Sequence, residues 1–217
     1  MIRKIYCIVC LLVTTLTVTA QEIKDLFIQM PDTLLPYLTK VNREDCIDFL
    51  ASNMKAEVKN RFDRTTGMTS ITKDYIALTL SSQSKYELKL LPTSDTTNII
   101  CSVYTYEGKV PNSHVKFYTT EWKELPADGF LSFPQTELFL PDSIPSTISD
   151  TLKISWEEVR KEADILFTRA TLNDSTTAIR FTYTTPLYLE PEKRELLNSL
   201  LKRKEVVYKW TNGMFRE

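Results

Sequence analysis

The spacing of hydrophobic residues changes once along the chain, from a helical period to the alternation of strands. In the first part, apolar side chains recur every three or four positions, at Cys46, Ile47, Leu50, Met54, Val58 and Phe62. This spacing places them on one side of a helix, and Asn42 before the acidic first turn is a suitable N-cap. The pattern predicts an amphipathic helix over 42–62 that ends before Gly67.

After Gly67, apolar and polar residues alternate. Four segments show this period of two, at 75–80, 85–91, 98–106 and 114–120. The short connections between them are rich in Ser, Asn, Pro and Gly, which are the residues that turns favour. The pattern predicts an antiparallel meander sheet.

Four prolines interrupt the rhythm over 125–150, but large apolar residues between them indicate a packed connection. This connection is a possible sub-boundary within one domain over 21–217. The remaining pattern predicts a short helix at 156–162, a hairpin of 165–172 with 177–185, a helix at 192–202 that begins after Pro191, and a strand at 205–211. The expected fold class is therefore α+β: an antiparallel meander packed against a long N-terminal helix, followed by a C-terminal hairpin, helix and strand.

The first twenty residues have the three parts of an export signal. Arg3 and Lys4 precede an uncharged, apolar and Thr-rich stretch over 5–18, and Val18 and Ala20 lie at the positions that suit cleavage. We expect cleavage after Ala20 and no integral membrane span afterwards, because a span needs about 20 apolar residues. An uncleaved anchor and a lipoprotein are alternatives, although Cys7 and Cys10 lie too early for the latter.

Composition and motifs exclude several chemistries. With 27 basic and 28 acidic residues, the net charge of −1 gives no case for nucleic-acid binding. His114 is the only histidine, so a His-rich metal site is not expected, and its place on a strand favours a solvent-facing role. The four glycines are not spaced as in phosphate-binding loops. No cofactor or metal is expected.

Acidic residues leave one catalytic possibility open. Asp32 with Asp48, or Glu121 with Glu124, could act as a carboxylate pair in the manner of a glycosidase. Helix capping and exposure to solvent are simpler roles for the same side chains. A carboxylate-dependent hydrolase therefore remains the alternative to a binding function, and enzymatic activity is not the favoured interpretation.

Aromatic residues and a stiff segment give the candidate binding surface. Tyr104 and Tyr106 share one strand face, and two prolines restrict the backbone over 30–43. A stiff segment lowers the entropy cost of presenting side chains to a partner. The candidate partner-binding residues are Asp32, Leu34, Leu35, Tyr37, Tyr104 and Tyr106; a purely structural role in the core is the alternative.

Two cysteines, Cys46 and Cys101, remain after residue 20. Both lie on predicted apolar faces, and a disulfide would require the helix start to meet the strand middle. We predict free, buried thiols that behave as small apolar side chains.

Three sequence stretches carry a family resemblance: MPDTLLPYLT at 30–39, Asn42-Arg43, and FYTTEW at 117–122. With them, the chain resembles a family of exported proteins from Gram-negative bacteria that form a domain of unknown function. The resemblance implies a location in the periplasm or at the periphery of the outer membrane, and it brings no catalytic residues. The expected function is that of a non-catalytic envelope protein that binds another protein or an envelope polymer, with a hydrolase acting on a glycan as the alternative.

Overall fold

The computed structural model of the chain describes residues 22–93, 97–143 and 150–217. Within them, the chain forms two antiparallel sheets, four α-helices and three short 3-10 helices. The helices are α1 (Ile23–Gln29), α2 (Lys40–Ala51), α3 (Asp150–Glu162) and α4 (Pro191–Ser199), and the 3-10 helices are Ala127–Gly129, Thr136–Leu138 and Thr185–Tyr188. The strands are β1 (Glu57–Lys59), β2 (Thr65–Ile71), β3 (Tyr75–Ser81), β4 (Ser84–Pro92), β5 (Asn98–Tyr106), β6 (Asn112–Thr119), β7 (Glu124–Leu125), β8 (Thr168–Leu172), β9 (Ala178–Tyr183), β10 (Glu205–Thr211) and β11 (Met214–Arg216).

The larger sheet is a meander in which β1 to β7 follow one another in space as they do in sequence. Each neighbouring pair is antiparallel, and the longest ladder joins β4 to β5 from Ser84 opposite Tyr106 to Pro92 opposite Asn98. The predicted α+β class and antiparallel meander are confirmed. The sheet has more strands than the pattern predicted: β1 lies within the segment that was expected to be helical, and β2 and β7 were not predicted.

The long N-terminal helix is therefore a prediction that was wrong in its extent. Helix α2 begins after Thr39, whose side chain caps it together with Asn42, and it ends at Ala51. Asn53 then adopts a left-handed backbone conformation, with φ of 56°. The N–H groups of Asn53 and Met54 bond to the carbonyl oxygens of Leu50 and Phe49, at 3.1 and 2.8 Å. This is the Schellman ending of a helix, which redirects the chain into β1.

The expected apolar stripe of that helix is divided as a result. Ile47 and Leu50 are half-buried on α2, while Met54 is 51% exposed in the turn. Val58 is buried, but on β1. The buried and half-buried residues at helical spacing therefore lie on two different elements, α2 and β1, and no single helix buries all of them.

Both faces of the large sheet are buried, each by a different part of the chain. On the helix side, α1 and the start of α2 cover alternate sheet residues: Met68, Ile76, Leu78, Leu80, Tyr86, Leu88, Leu90, Ile100 and Tyr118. On the inter-sheet side, the four-stranded sheet, in the order β11-β10-β9-β8, packs on Leu91, Ile99, Cys101, Val103, Val115 and Phe117. The fold is therefore layered, with the large sheet in the middle.

The C-terminal part follows the predicted order. Strands β8 and β9 form the hairpin, Pro191 is the first residue of α4, and β10 matches the expected strand. The short β11 was not predicted. The proline-rich connection contributes Leu131, Phe139 and Leu140 to the inter-sheet core, as expected of a packed segment.

The large sheet separates the two cysteines. Cys46 packs on the helix side, whereas Cys101 points to the inter-sheet side. Within the described residues both thiols are free and buried, which confirms the prediction. Burial raises the pKa of Cys46 to about 11, and it raises the pKa of Cys101 as well.

The predicted signal sequence over 1–20 lies outside the described residues. Among the helices that are described, none has the length and apolarity needed to cross a membrane.

Candidate functional site

A buried arginine organises the segment 30–43. The Arg43 guanidinium is 1% exposed and donates hydrogen bonds to the carbonyl oxygens of Ile28, Met30 and Leu38. It also pairs with Asp32, at 3.0 Å, and Asp32 pairs in turn with the exposed Arg61. Charged donors make strong hydrogen bonds in a buried setting, so this cluster fixes the turn between α1 and α2. Asp32 therefore has a structural role in holding the candidate surface.

The fixed turn brings together three of the predicted binding residues. Leu34 and Tyr37 are half-buried, and the Tyr37 hydroxyl lies 3.5 Å from the hydroxyl of Tyr104. Tyr104 donates to the Ser84 hydroxyl, at 3.1 Å. Leu35 is fully buried in the core and cannot touch a partner.

Phe62 extends this surface outward. Its ring meets the Tyr37 ring edge-on, with 5.2 Å between centroids, and 57% of the residue is exposed. The buried Asn60 carboxamide accepts hydrogen bonds from the N–H groups of Phe62 and Arg64, at 2.9 and 3.1 Å, which fixes the turn that carries the ring. We call Phe62 and Tyr37 the aromatic rim. Sequence reasoning missed Phe62 because it was assigned to the buried face of a helix.

A groove of about 320 Å³ lies beside Tyr104 on the helix side of the large sheet. We call it the aromatic groove; its lining residues are Thr33, Leu34, Tyr86, Ser102, Tyr104, His114, Lys116 and Tyr118. Burial raises the pKa of Tyr86, Tyr104 and Tyr118 further above neutral pH, so these phenols are protonated and able to donate. Lys116 bonds to Glu124, at 3.0 Å. The groove offers ring edges and hydroxyl groups.

Tyr106 and His114 lie at the margins of this surface. Tyr106 is 49% exposed, and its ring packs over Gly108, where an added Cβ would come within 2.2 Å of it. It is outside the groove lining, although it shares a strand face with Tyr104. His114 is exposed on β6, as expected, and contributes to the groove wall.

A second concave site lies on the inter-sheet side, where the edge strand β8 crosses the large sheet. This inter-sheet recess of about 280 Å³ is lined by Thr69, Tyr75, Ala77, Leu78, Thr79, Lys85, Glu87, Thr105, Glu107, Arg169, Ala170 and Thr171. Sequence reasoning missed it, because Lys85, Glu87 and Lys89 alternate along β4 in the way that solvent-facing residues do. In the fold, Glu87 and Lys89 are buried.

Glu87 is held by the large sheet and faces the small one. The Tyr75 hydroxyl donates to it, at 2.6 Å, and the backbone N–H of Leu172 on β8 is near enough to lower the pKa of its carboxyl group. Burial raises the pKa of Glu87 from its ordinary value, and the hydrogen bond from Tyr75 and the nearby Leu172 N–H oppose the rise. Lys89 lies nearby, 5.7 Å from the centre of the Tyr75 ring, and pairs with Asp74 at 3.0 Å.

Glu107 faces the opposite end of the recess. It pairs with Arg169 of β8 and with Lys85 of β4, the latter at 3.3 Å. Two acidic and two basic residues therefore line the recess, and both cations are engaged by one carboxylate.

The carboxylate pairs considered from the sequence are placed differently. Asp32 is held by two arginines, while Asp48 is exposed on α2. Glu121 bonds to Thr120 and Glu124 to Lys116, both at the surface. Across the residues that the structure describes, no group of three or more His, Cys, Asp or Glu side chains could hold a metal ion.

These features define an α+β domain with an aromatic surface on one side of a meander sheet and a polar recess on the other. The chain belongs to the family of proteins of unknown function DUF3256, whose model matches residues 15–215. It is also similar to the solved structure of a domain of an uncharacterised protein from Porphyromonas gingivalis, with a TM-score of 0.77 and 24% identity. That match covers 91% of this chain and 98% of the other, and it shows a shared fold. No curated protein matches the chain.

Proposed function

We propose that this protein is a non-catalytic binding protein of the cell envelope, which holds another protein or an envelope polymer on its aromatic rim and groove. The observation that carries the proposal is the exposed Phe62 ring, held against Tyr37 beside a groove lined with phenols. Aromatic side chains give a large contact area at a small entropy cost.

The rigid support of this surface favours recognition. The Asn60 carboxamide fixes the turn that carries Phe62, and the Arg61 N–H bonds to the Tyr37 carbonyl oxygen, at 3.0 Å. Arg43 fixes the segment that carries Tyr37. A surface that is ordered before binding loses less conformational entropy when a partner arrives.

The proposed location rests on the N-terminal sequence. The basic Arg3 and Lys4, the apolar stretch over 5–18 and the small Ala20 are typical of an export signal. We propose export to the periplasm or the periphery of the outer membrane. Mass measurement of the protein recovered from the envelope fraction tests this: loss of residues 1–20 is expected, and an intact N-terminus would contradict cleavage.

Retention from envelope extracts tests the binding function. Immobilised wild-type protein is compared with Phe62→Ala and with Tyr188→Ala, a control of similar exposure at 54% in the 3-10 helix that follows β9. We expect a protein or polymer that the wild type and Tyr188→Ala retain and that Phe62→Ala releases. Equal retention by all three would contradict the proposal.

A carboxylate-dependent hydrolase acting on a glycan is the second candidate. The inter-sheet recess supports it, because Glu87 and Glu107 line one cavity in different environments, which is how acid and base roles are divided in glycosidases. Release of reducing ends from envelope glycans by wild type, but not by Glu87→Gln or Glu107→Gln, would support it. No release by the folded wild type would exclude it for those glycans.

A further inference from the structure

The inter-sheet recess exists because the cross-strand pairs at its floor are small or polar. Ala77 lies opposite Glu87 in the β3–β4 ladder, and Thr79 lies opposite Lys85. A methyl group beside a carboxyl group leaves space that large apolar residues fill elsewhere on this side of the sheet. Ala77 and Thr79 are half-buried and Thr69 is exposed, so the recess is open to solvent at the β2 end.

The edge strand of the small sheet, β8, forms one wall of the recess. Side chains of the large sheet accept hydrogen bonds from its backbone. On β8, the Thr168 N–H donates to the Asn112 carboxamide oxygen at 3.3 Å, and the Ala170 N–H donates to the Ser113 hydroxyl at 2.9 Å. Two alternate N–H groups of the edge strand thus have acceptors on the large sheet. This satisfies an edge that would otherwise pair with another strand.

Glu87 is also held in place before any ligand binds. Its carboxyl group receives a hydrogen bond from the Tyr75 hydroxyl and still lines the recess. A site whose polar group is held in place by neighbouring contacts binds with less ordering cost. The hydrogen bond that Glu87 accepts from Tyr75 is compatible with a role in binding, since a carboxyl group has several acceptor sites.

The charges of the recess favour a neutral ligand. Lys85 and Arg169 both bond to Glu107, so an anion would have to compete with that carboxylate. A cation would approach the same two basic groups, and burial disfavours the charged form of Glu87 that would attract it. Burying a charge without a partner is costly, whereas a neutral hydrogen-bonding ligand avoids that cost.

The remaining lining groups match hydroxyl-bearing chemistry. Thr79 and Thr171 each carry a hydroxyl, which both donates and accepts, and the Tyr75 ring gives an apolar wall. The Thr69 hydroxyl already donates to the Ala77 carbonyl oxygen, and the buried Thr105 hydroxyl is bonded to Ser113. The volume of about 280 Å³ is near the lower limit for small-molecule sites, about 300 Å³. A single sugar ring combines hydroxyl groups with apolar C–H faces at this size.

We propose that the inter-sheet recess binds one neutral sugar ring, either as a free monosaccharide or as the end unit of a neutral oligosaccharide. This site is separate from the aromatic rim and groove, which lie on the opposite face of the large sheet. Binding at the recess and binding at the aromatic rim and groove can therefore be tested independently, and a negative result for one does not contradict the other.

Saturation-transfer NMR on the purified protein tests the proposal, with glucose, galactose, mannose and N-acetylglucosamine as neutral probes. Glycine and glucuronate serve as zwitterionic and anionic probes. We expect at least one neutral sugar to bind in the millimolar range, and to bind more tightly than either charged probe. A neutral trisaccharide that binds much more weakly than its component sugar indicates a free monosaccharide, and similar binding indicates an end unit.

The variant Ala77→Leu places a larger side chain in the recess and should weaken sugar binding about tenfold or more. Phe62→Ala, on the other side of the sheet, should bind as the wild type does. Circular dichroism and thermal unfolding check that the fold persists, and Thr79→Ile serves as a second filling variant if Ala77→Leu does not fold. Absence of binding to the folded wild type, preference for a charged probe, or full binding by a folded filling variant would overturn the proposal.

Discussion

The two faces of the large sheet are buried by different means. On the helix side, the segment that directly precedes the sheet in sequence covers an apolar face. Arg43 donates hydrogen bonds to three backbone carbonyl oxygens of this covering segment. On the inter-sheet side, residues far along the chain cover a face that mixes apolar residues with Glu87 and Lys89. The first face is stabilised by apolar burial around one buried charged group, the Arg43 guanidinium. The second depends in addition on hydrogen bonds that the backbone of β8 donates to side chains of the large sheet.

This difference also divides the two candidate sites. The aromatic rim and groove lie where the helix-side cover ends, and they present rings to solvent. The recess lies where the small sheet ends, and it presents fixed polar groups inside a cavity. A surface of the first kind suits a large partner, and a cavity of the second kind suits a small one.

We expect the largest effect on stability from substitution of the buried Arg43. Arg43→Met would leave the carbonyl oxygens of Ile28, Met30 and Leu38 without their donor, and should lower the free energy of unfolding by about 3–5 kcal/mol. Arg61→Met is the matched control, because Arg61 pairs with the same Asp32 but is 46% exposed, and should cost no more than about 1 kcal/mol. Urea unfolding of both variants measures the difference. Similar losses in the free energy of unfolding would show that the buried hydrogen bonds of Arg43 do not stabilise the segment that covers the sheet.

Apolar packing on the helix side should show a graded effect. Leu88 is fully buried, and Leu88→Ala should cost about 2–5 kcal/mol. Leu50 is half-buried on α2, and Leu50→Ala should cost less than about 2 kcal/mol, since only part of its surface leaves water. Chemical unfolding compares the two, and an equal or larger loss for Leu50 would contradict the position of α2.

On the inter-sheet side, the sign of the pH dependence identifies the state of Glu87. Because burial raises its pKa in the folded protein, protonation favours folding. The contribution of Glu87 to the free energy of unfolding is fully present below its pKa in the unfolded chain. It decreases as pH rises through its pKa in the folded protein. Glu87→Gln resembles the protonated form and should be at least as stable as the wild type at neutral pH.

The difference between wild type and Glu87→Gln should shrink as the pH falls below the ordinary range of a glutamate, and paired unfolding curves from acidic to neutral pH measure it. Glu107→Gln is the control, since it removes the negative charge that pairs with Lys85 and Arg169 and should lower stability at neutral pH. A Glu87→Gln variant that loses stability as pH rises, relative to the wild type, would contradict the buried environment of this carboxyl group.

The smallest effect on stability is expected at the aromatic rim. Phe62→Ala removes a ring that is 57% exposed and should change the free energy of unfolding by about 0.5 kcal/mol or less. Thermal unfolding measures the change. A large loss would show that the ring belongs to the core, which would weaken its assignment as a binding residue.

The sequence pattern predicted the helix-side strands well, because Ile76, Leu78 and Leu80 alternate with less apolar neighbours along β3. It extended α2 too far, because apolar residues at helical spacing continue past Asn53, where local backbone geometry ends the helix. Asn at a helix end was the available signal, since this residue tolerates the left-handed conformation.

The candidate sites were predictable only in part. The stiffness of 30–43 pointed to Leu34 and Tyr37, and the strand face pointed to Tyr104; the structure brings these three residues together. Phe62 was missed because it was assigned to a helix that in the structure ends at Ala51. The recess could not be found because β8, which forms its wall, is distant in sequence from β4.

Photo-crosslinking in intact cells tests the aromatic surface most directly. A photoreactive amino acid is placed at Phe62 and, in a control, at Tyr188, which has similar exposure outside the aromatic surface. We expect a reproducible adduct with one envelope component from position 62, lost when Tyr104 is also changed to Ala, and no such adduct from position 188. The same adducts from both positions, or none from position 62, would contradict the assignment of this surface as the binding site.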